Sequence, residues 1–199
     1  MVSGHTDINN MHGSVTYLEH IPAIPKRSGI LTRLGYRAAS TVLTDQQQKL
    51  LERGIQEALR LCQIRGAYRC IPITQHDADA TRLANQKVFQ SAGLAALLTR
   101  SSDIVLMAST AGSTIVQRID EEIRAGNAAF GVILDATASQ AADAGLDWMS
   151  AFLNRMLRRQ GKRLTRRRFS PGYGDLSLEY QRMIFDLLDL RSIGLDLTD

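Results

Sequence analysis

Arg168-Phe169-Ser170-Pro171-Gly172-Tyr173-Gly174-Asp175 is the stretch on which the reading of this 199-residue chain turns. Pro171 fixes its own φ and Gly172 permits a positive one, so the words predict a rigid turn that holds Tyr173. After it, Leu178, Met183, Ile184, Leu187 and Leu188 predict one apolar face of a last helix. Before it come eight basic residues in fourteen: Arg155, Arg158, Arg159, Lys162, Arg163, Arg166, Arg167 and Arg168. No acid lies between Asp147 and Asp175. Outside that run sixteen basic residues stand against twenty acidic ones, a net charge of −4. The chain's overall +4 is therefore a local property, and residues 163–169 are expected to form a basic strand.

Further upstream, 127–157 is helix-forming almost without a breaker, and Leu134 to Asp143 is built of small side chains. Small residues on a helix let another backbone or a flat ligand come close, and tight packing of a buried helix is the favoured reading. Asp143 and Asp147 are four apart and share a face of that helix. Asp103 to Met107 reads as a buried strand, followed by the small-residue turn Ala108 to Ser113 and a helix that Gly126 stops. The turn at Thr110-Ala111-Gly112 is neither a Walker A motif nor GxGxxG and is read as a tight strand-to-helix connection. Ser91 to Leu98 reads as a short helix, and Tyr68 to Ile73 as a strand that Pro72 pushes toward a sheet edge. Thr44-Asp45-Gln46-Gln47 is a capping box ahead of Leu51, Ile55, Ala58, Leu59 and Cys62 at helical spacing. A short helix is expected from Lys26 to near Gly35, after an extended Ile21 to Pro25.

Composition bounds the class. With 44% apolar and 22% charged residues, 15 glycines and 4 prolines, collagen, wholesale disorder and a disulfide scaffold are excluded. A chain of this length buries roughly 70% of its unfolded surface and holds a core without staples. Cys62 and Cys70, with no secretory signal ahead of them, fit a reduced cytoplasmic protein. The four histidines supply no zinc-finger spacing, and no apolar stretch approaches the ~20 residues of a membrane span. The organisation expected is a mobile leader over 1–16 and a single α+β domain over 17–199. Nucleophilic catalysis has no support, since GxSxG and HExxH are absent, and no catalytic residue is assigned. The basic run shows no RRM, KH, helix-turn-helix or zinc-finger pattern, so nucleic acid is not the expected partner.

Taken together, Arg168 to Asp175 with the helix after it resembles the S-adenosylmethionine-binding segment of the activation domain of cobalamin-dependent methionine synthase. Leu34 to Arg37, Val105 to Gly112, and Leu134 to Asp143 resemble three further segments of that family, in its order. The resemblance spans about residue 20 to residue 199. It implies an α+β fold with a mixed or antiparallel central sheet, flanking helices and one long small-residue helix. It also implies S-adenosylmethionine as ligand, with Asp143, Arg168, Ser170, Pro171, Gly172 and Tyr173 as cofactor-binding residues. Arginine suits the ligand's carboxylate, being bidentate and permanently charged. Asp143 stands where the family has a glutamate, and no acid falls at 20–25, where the family has its N-terminal acidic ligand. The family continues beyond the segment Ile193 to Leu197, so either a free-standing variant shortened at the C-terminus or a truncated chain is expected.

In that family the domain presents S-adenosylmethionine to cob(II)alamin held by a neighbouring module. No Asp-x-His-x-x-Gly corrinoid motif occurs here, so the resemblance implies a methyltransferase component working in trans. Its partners would be a corrinoid-binding methyltransferase module and a reductase. An alternative is a degenerate module that docks a corrinoid protein without the ligand; RNA binding through 155–168 is a third reading. Within the basic run, Arg168 is expected to face the ligand, and the cations from Arg155 to Arg167 to be exposed and to steer an acidic partner or the phosphate-bearing tail of a corrinoid.

Overall fold

The computed structural model describes residues 13–37 and 41–197. Twelve residues of the expected leader, 1–12, lie outside them, while Thr16 opens strand β1 (Thr16–Leu18). The chain then runs through α1 (Arg27–Arg33), α2 (Asp45–Leu61), β2 (Arg65–His76), β3 (Ala80–Leu83), β4 (Val88–Gln90) and α3 (Ala92–Leu98). It continues through β5 (Asp103–Thr110), α4 (Ser113–Arg124), α5 (Ala128–Arg158) and α6 (Tyr180–Leu188), ending in a 3-10 turn at Leu190–Ile193. The fold is α+β: five strands in the order β1-β2-β3-β4, with β5 also on β2, and helices that include one of 31 residues.

Two compact units share these elements. The first takes residues up to Tyr17, Ala67–Ala108 and the chain from Ser150; the second takes Leu18–Gly66 and Ser109–Met149. Most of the sheet belongs to the first unit, where Leu83, Phe89, Leu98, Leu106, Leu188 and Ile193 form one apolar cluster. β3 pairs antiparallel with both neighbours, Ile73 lying opposite Leu83 and Ala80 opposite Gln90. Pro72 does not mark an edge. β2 is the strand shared by β1, β3 and β5, and its pairing with β3 shifts register between Ile73 and Gln75, just past the proline. An irregular ladder tolerates a residue without an N–H, and the Pro72 carbonyl still accepts from Ala84 N at 2.9 Å.

In the second unit, α2 starts where its capping box says it should. Thr44 Oγ1 accepts from Gln47 N at 3.3 Å, and Gln47 Oε1 accepts from Thr44 N at 2.9 Å. Leu51, Ile55 and Ala58 are buried as their spacing requires, but Leu59 lies on the outer face. Cys62 is partly buried, and desolvation pushes its thiol up to about 11. The small residues of α5 serve packing: Ala138 and Ala141 are buried, and a Cβ at Gly145 would run into Ser109 and Ile64. Gly54 of α2 has no space for a Cβ against Ile133 of α5. The Ala111-Gly112 turn is closed by Gln63, whose N–H donates to the Ala111 carbonyl at 2.8 Å. Gly112 has φ 91°, and a Cβ there would meet the Gln63 carbonyl oxygen at 3.2 Å. That leaves a tight connection with its polar groups turned inward.

Two expectations near the C-terminus need correction. Residues 163–169 form no strand; they run as irregular chain after α5. The backbone there bonds to side chains instead of a partner strand: Leu164 N donates to Asn154 Oδ1 at 2.9 Å, and Thr165 Oγ1 donates to the Arg167 carbonyl at 2.8 Å. Leu178 precedes α6 rather than lying on its apolar face, and it is 59% exposed.

Candidate functional site

The turn predicted around Pro171 is present and closed by its own backbone. Tyr173 N donates to the Ser170 carbonyl at 3.1 Å, Leu176 N to the Tyr173 carbonyl at 3.1 Å, and Gly172 N to the Leu176 carbonyl at 2.8 Å. Gly172 has φ 86°, a conformation that costs a residue with a Cβ roughly 1–2 kcal/mol. Its missing side chain also leaves space for Leu178, whose Cδ1 would lie 3.2 Å from a Cβ there. Tyr173 is 71% exposed.

What fixes the turn in the first unit is an acid that the sequence reading did not single out. Asp175 reaches the start of α3: Ser91 Oγ donates to its Oδ1 at 2.6 Å and Gly93 N to its Oδ2 at 3.1 Å. The hydroxyl of Ser91, followed by the Gly93 amide, holds the Asp175 carboxyl below the usual carboxylate range. Ser91 Oγ in turn accepts from Leu94 N at 3.0 Å, so one serine caps the helix and carries the latch. Phe169 packs against the core on one side of the turn. On the other, the Tyr180 ring lies 5.1 Å from that of Phe89, and Gln90 N donates to the Tyr180 hydroxyl at 2.8 Å. The signal for the latch lay in a Ser before an apolar helix and an Asp closing the turn; their separation of 84 residues hid the pairing.

Arg168, Ser170, Pro171, Gly172 and Tyr173 therefore lie on one segment of the first unit. Arg168 is exposed and its guanidinium is 3.5 Å from Ser150 Oγ. Asp143 belongs to the second unit, on α5, and its carboxylate is engaged by Arg33 of α1 at 2.5 Å.

No family model and no curated protein matches this chain. A solved structure does: the crystal structure of the MetH reactivation domain bound to AdoHcy matches 94% of this chain and 73% of its own length, with TM-score 0.64 and 14% sequence identity. The fold is that of the MetH reactivation domain. The expected α+β architecture with a long small-residue helix is thus the observed one. Among the described residues of this reactivation-domain fold, no helix is long and apolar enough to cross a membrane.

The Arg168 to Tyr173 segment presents a charged donor and an aromatic ring. A guanidinium offers a carboxylate two parallel N–H bonds, and an exposed tyrosine offers a ring face and a hydroxyl. Backbone bonds and the Asp175 latch hold the turn before anything binds, which lowers the ordering cost of binding.

Proposed function

We propose that this protein binds S-adenosylmethionine and presents it for reductive methylation of a corrinoid held by a separate protein. Arg168 would take the ligand's carboxylate, and Tyr173, on the turn of Ser170, Pro171 and Gly172, would lie along the adenosine. S-adenosylmethionine would supply the methyl group, and the corrinoid acceptor and the reductant would lie outside residues 1–199. The observation that supports this reading is a pinned, exposed Arg-x-x-Pro-Gly-Tyr turn in a chain with the reactivation-domain fold. Isothermal titration with S-adenosylmethionine tests it. The intact chain is expected to bind. Arg168→Ala should bind about ten- to a hundredfold more weakly, because hydrogen bonds to charged groups contribute about 1.5–3 kcal/mol. Absence of heat at ligand concentrations well above about 1 mM, where binding energy falls under roughly 4 kcal/mol, would defeat the proposal.

One observation favours a second reading, a docking module without the ligand. Asp143, offered by the resemblance as a ligand contact, already has Arg33 as its partner at 2.5 Å. Thermal melts separate the two. Added S-adenosylmethionine raises the midpoint if the folded chain binds it and leaves the midpoint fixed if the chain is only a docking surface.

A further inference from the structure

We infer that the arginine-rich segment 155–167 is a docking surface for an acidic protein. All of its basic residues are exposed. Lys162 is tied to Asp103 at 2.7 Å, but Arg155, Arg158, Arg159, Arg163, Arg166 and Arg167 have no ion-pair partner among the described residues. The C-terminal end of α5 accounts for the first few, since cations are favoured beside the last carbonyls of a helix. It does not account for Arg163, Arg166 and Arg167, which lie beyond the helix on chain with no regular structure. Those arginines repel one another, and the chain beyond the helix returns little to the core, with Leu164 half-buried and the residues around it exposed.

Yet this segment is not loose. Lys162 N donates to the Leu157 carbonyl at 3.1 Å, Leu164 N to Asn154 Oδ1 at 2.9 Å, and Lys162 Nζ to Asp103. A pinned backbone that displays unpaired guanidinium groups is preorganised for carboxylates, which arginine grips with two bonds. The segment leads directly into Arg168 and the Pro171 turn. Choosing a protein over a nucleic acid rests on the function proposed above, in which the methyl acceptor is held by a protein module outside residues 1–199. It rests also on the lack of any aromatic residue from 155 to 168 on which bases would stack.

The test is binding of a labelled glutamate peptide, and of a single-stranded RNA of matched charge, followed by fluorescence anisotropy at several salt concentrations. The proteins are the intact chain, a variant carrying Arg158→Gln, Arg159→Gln, Arg166→Gln and Arg167→Gln, and one with Lys at the same four positions. S-adenosylmethionine titrations run on the same samples, with circular dichroism to check folding. The Gln variant should bind the peptide about tenfold or more weakly at low salt, the Lys variant should keep most of the binding, and ligand affinity should stay within about twofold. Equal peptide binding by the Gln variant would overturn the inference, as would tighter binding of the RNA than of the peptide. Failure of the intact chain to bind S-adenosylmethionine would count against the proposed function alone, because the peptide and RNA measurements do not involve that ligand.

Discussion

Gly93→Ala should destabilise the protein, although the general rule for a glycine in a helix points the other way. Gly93 is the second residue of α3, where alanine is better than glycine by up to about 1 kcal/mol. Here a Cβ would come within 2.8 Å of Asp175 Oδ1 and 3.2 Å of Phe169 Cζ. The first contact is shorter than a methyl group tolerates, so the carboxylate must shift, straining its bonds to the amide of Gly93 and the hydroxyl of Ser91. Overpacking of this kind costs about 1–3 kcal/mol. Set against the propensity gain, the net loss is about 1 kcal/mol, which for a chain of this length lowers the melting midpoint by about 2–4 °C.

A thermal melt followed by circular dichroism reads the effect. A raised midpoint would refute the argument, because it would mean that the Asp175 contact yields at no cost. The double variant sharpens the test. With Asp175→Ala in place the obstructing oxygen is gone, and Gly93→Ala should become neutral or stabilising. Additivity of the two changes would show that Gly93 and Asp175 do not interact.

Other outcomes follow from the same geometry. Asp175 and Asp189 both have carboxyls held below the ordinary range near 4, Asp175 chiefly by Ser91 and Asp189 chiefly by Ser192, with Tyr17 second. A depressed folded pKa gives stability that is complete above the unfolded value and lost as pH falls through the folded one. Acid unfolding profiles should therefore be shallower below about pH 4 in Asp175→Asn and Asp189→Asn. Thr44→Ala removes the acceptor of the α2 capping box and should cost about 1 kcal/mol, seen in urea unfolding as a lower midpoint at unchanged slope. Burial raises both thiols, Cys62 and Cys70, to about 11, so neither should react appreciably with a thiol reagent at pH 8 until the chain is unfolded; rapid labelling of the folded protein would contradict their burial.

Local signals in the sequence were legible where one chain segment satisfies itself. Thr44 with Gln47, the apolar spacing of α2, Gly126 after α4 and the unbroken run of α5 each state a helix or its end without reference to the rest of the chain. The Pro171 turn belongs with them, since its closing bonds join residues no more than four apart. β3 and β4 were not legible, because four and three residues are too few to display an alternation. Pro72 misled for a physical reason. The edge rule assumes a regular ladder, and β2 has a shifted register beside the proline. The basic strand failed for another. An apolar-polar alternation pins a strand to a sheet by burying one of its faces, and within 163–169 the two half-buried apolar residues, Leu164 and Phe169, are five apart and would fall on opposite faces.

The candidate site divides along the same line. The residues of the proposed ligand segment are contiguous and are readable as a motif, whereas the groups that hold them in place come from far away in the chain. Ser91 and Gly93 reach Asp175 across more than eighty residues, and Arg33 reaches Asp143 across 110. A motif records which side chains are offered; it carries nothing about a carboxylate spent on a distant arginine. That difference bears on function. Asp175 uses its charge to fix the turn, and Asp143 uses its charge on α1, so two acids of similar appearance in the sequence do different work in the fold. Arg33→Ala should separate those roles: it frees the Asp143 carboxylate without touching the turn. If Asp143 takes part in ligand binding, S-adenosylmethionine affinity should rise in Arg33→Ala by up to about fivefold, since an ammonium or sulfonium would no longer compete with a guanidinium for the same carboxylate, and an exposed ion pair is worth at most about 1 kcal/mol. An unchanged affinity in Arg33→Ala, measured beside a weakened Arg168→Ala, would confine the ligand's contacts to the turn and leave Asp143 as a structural partner of α1.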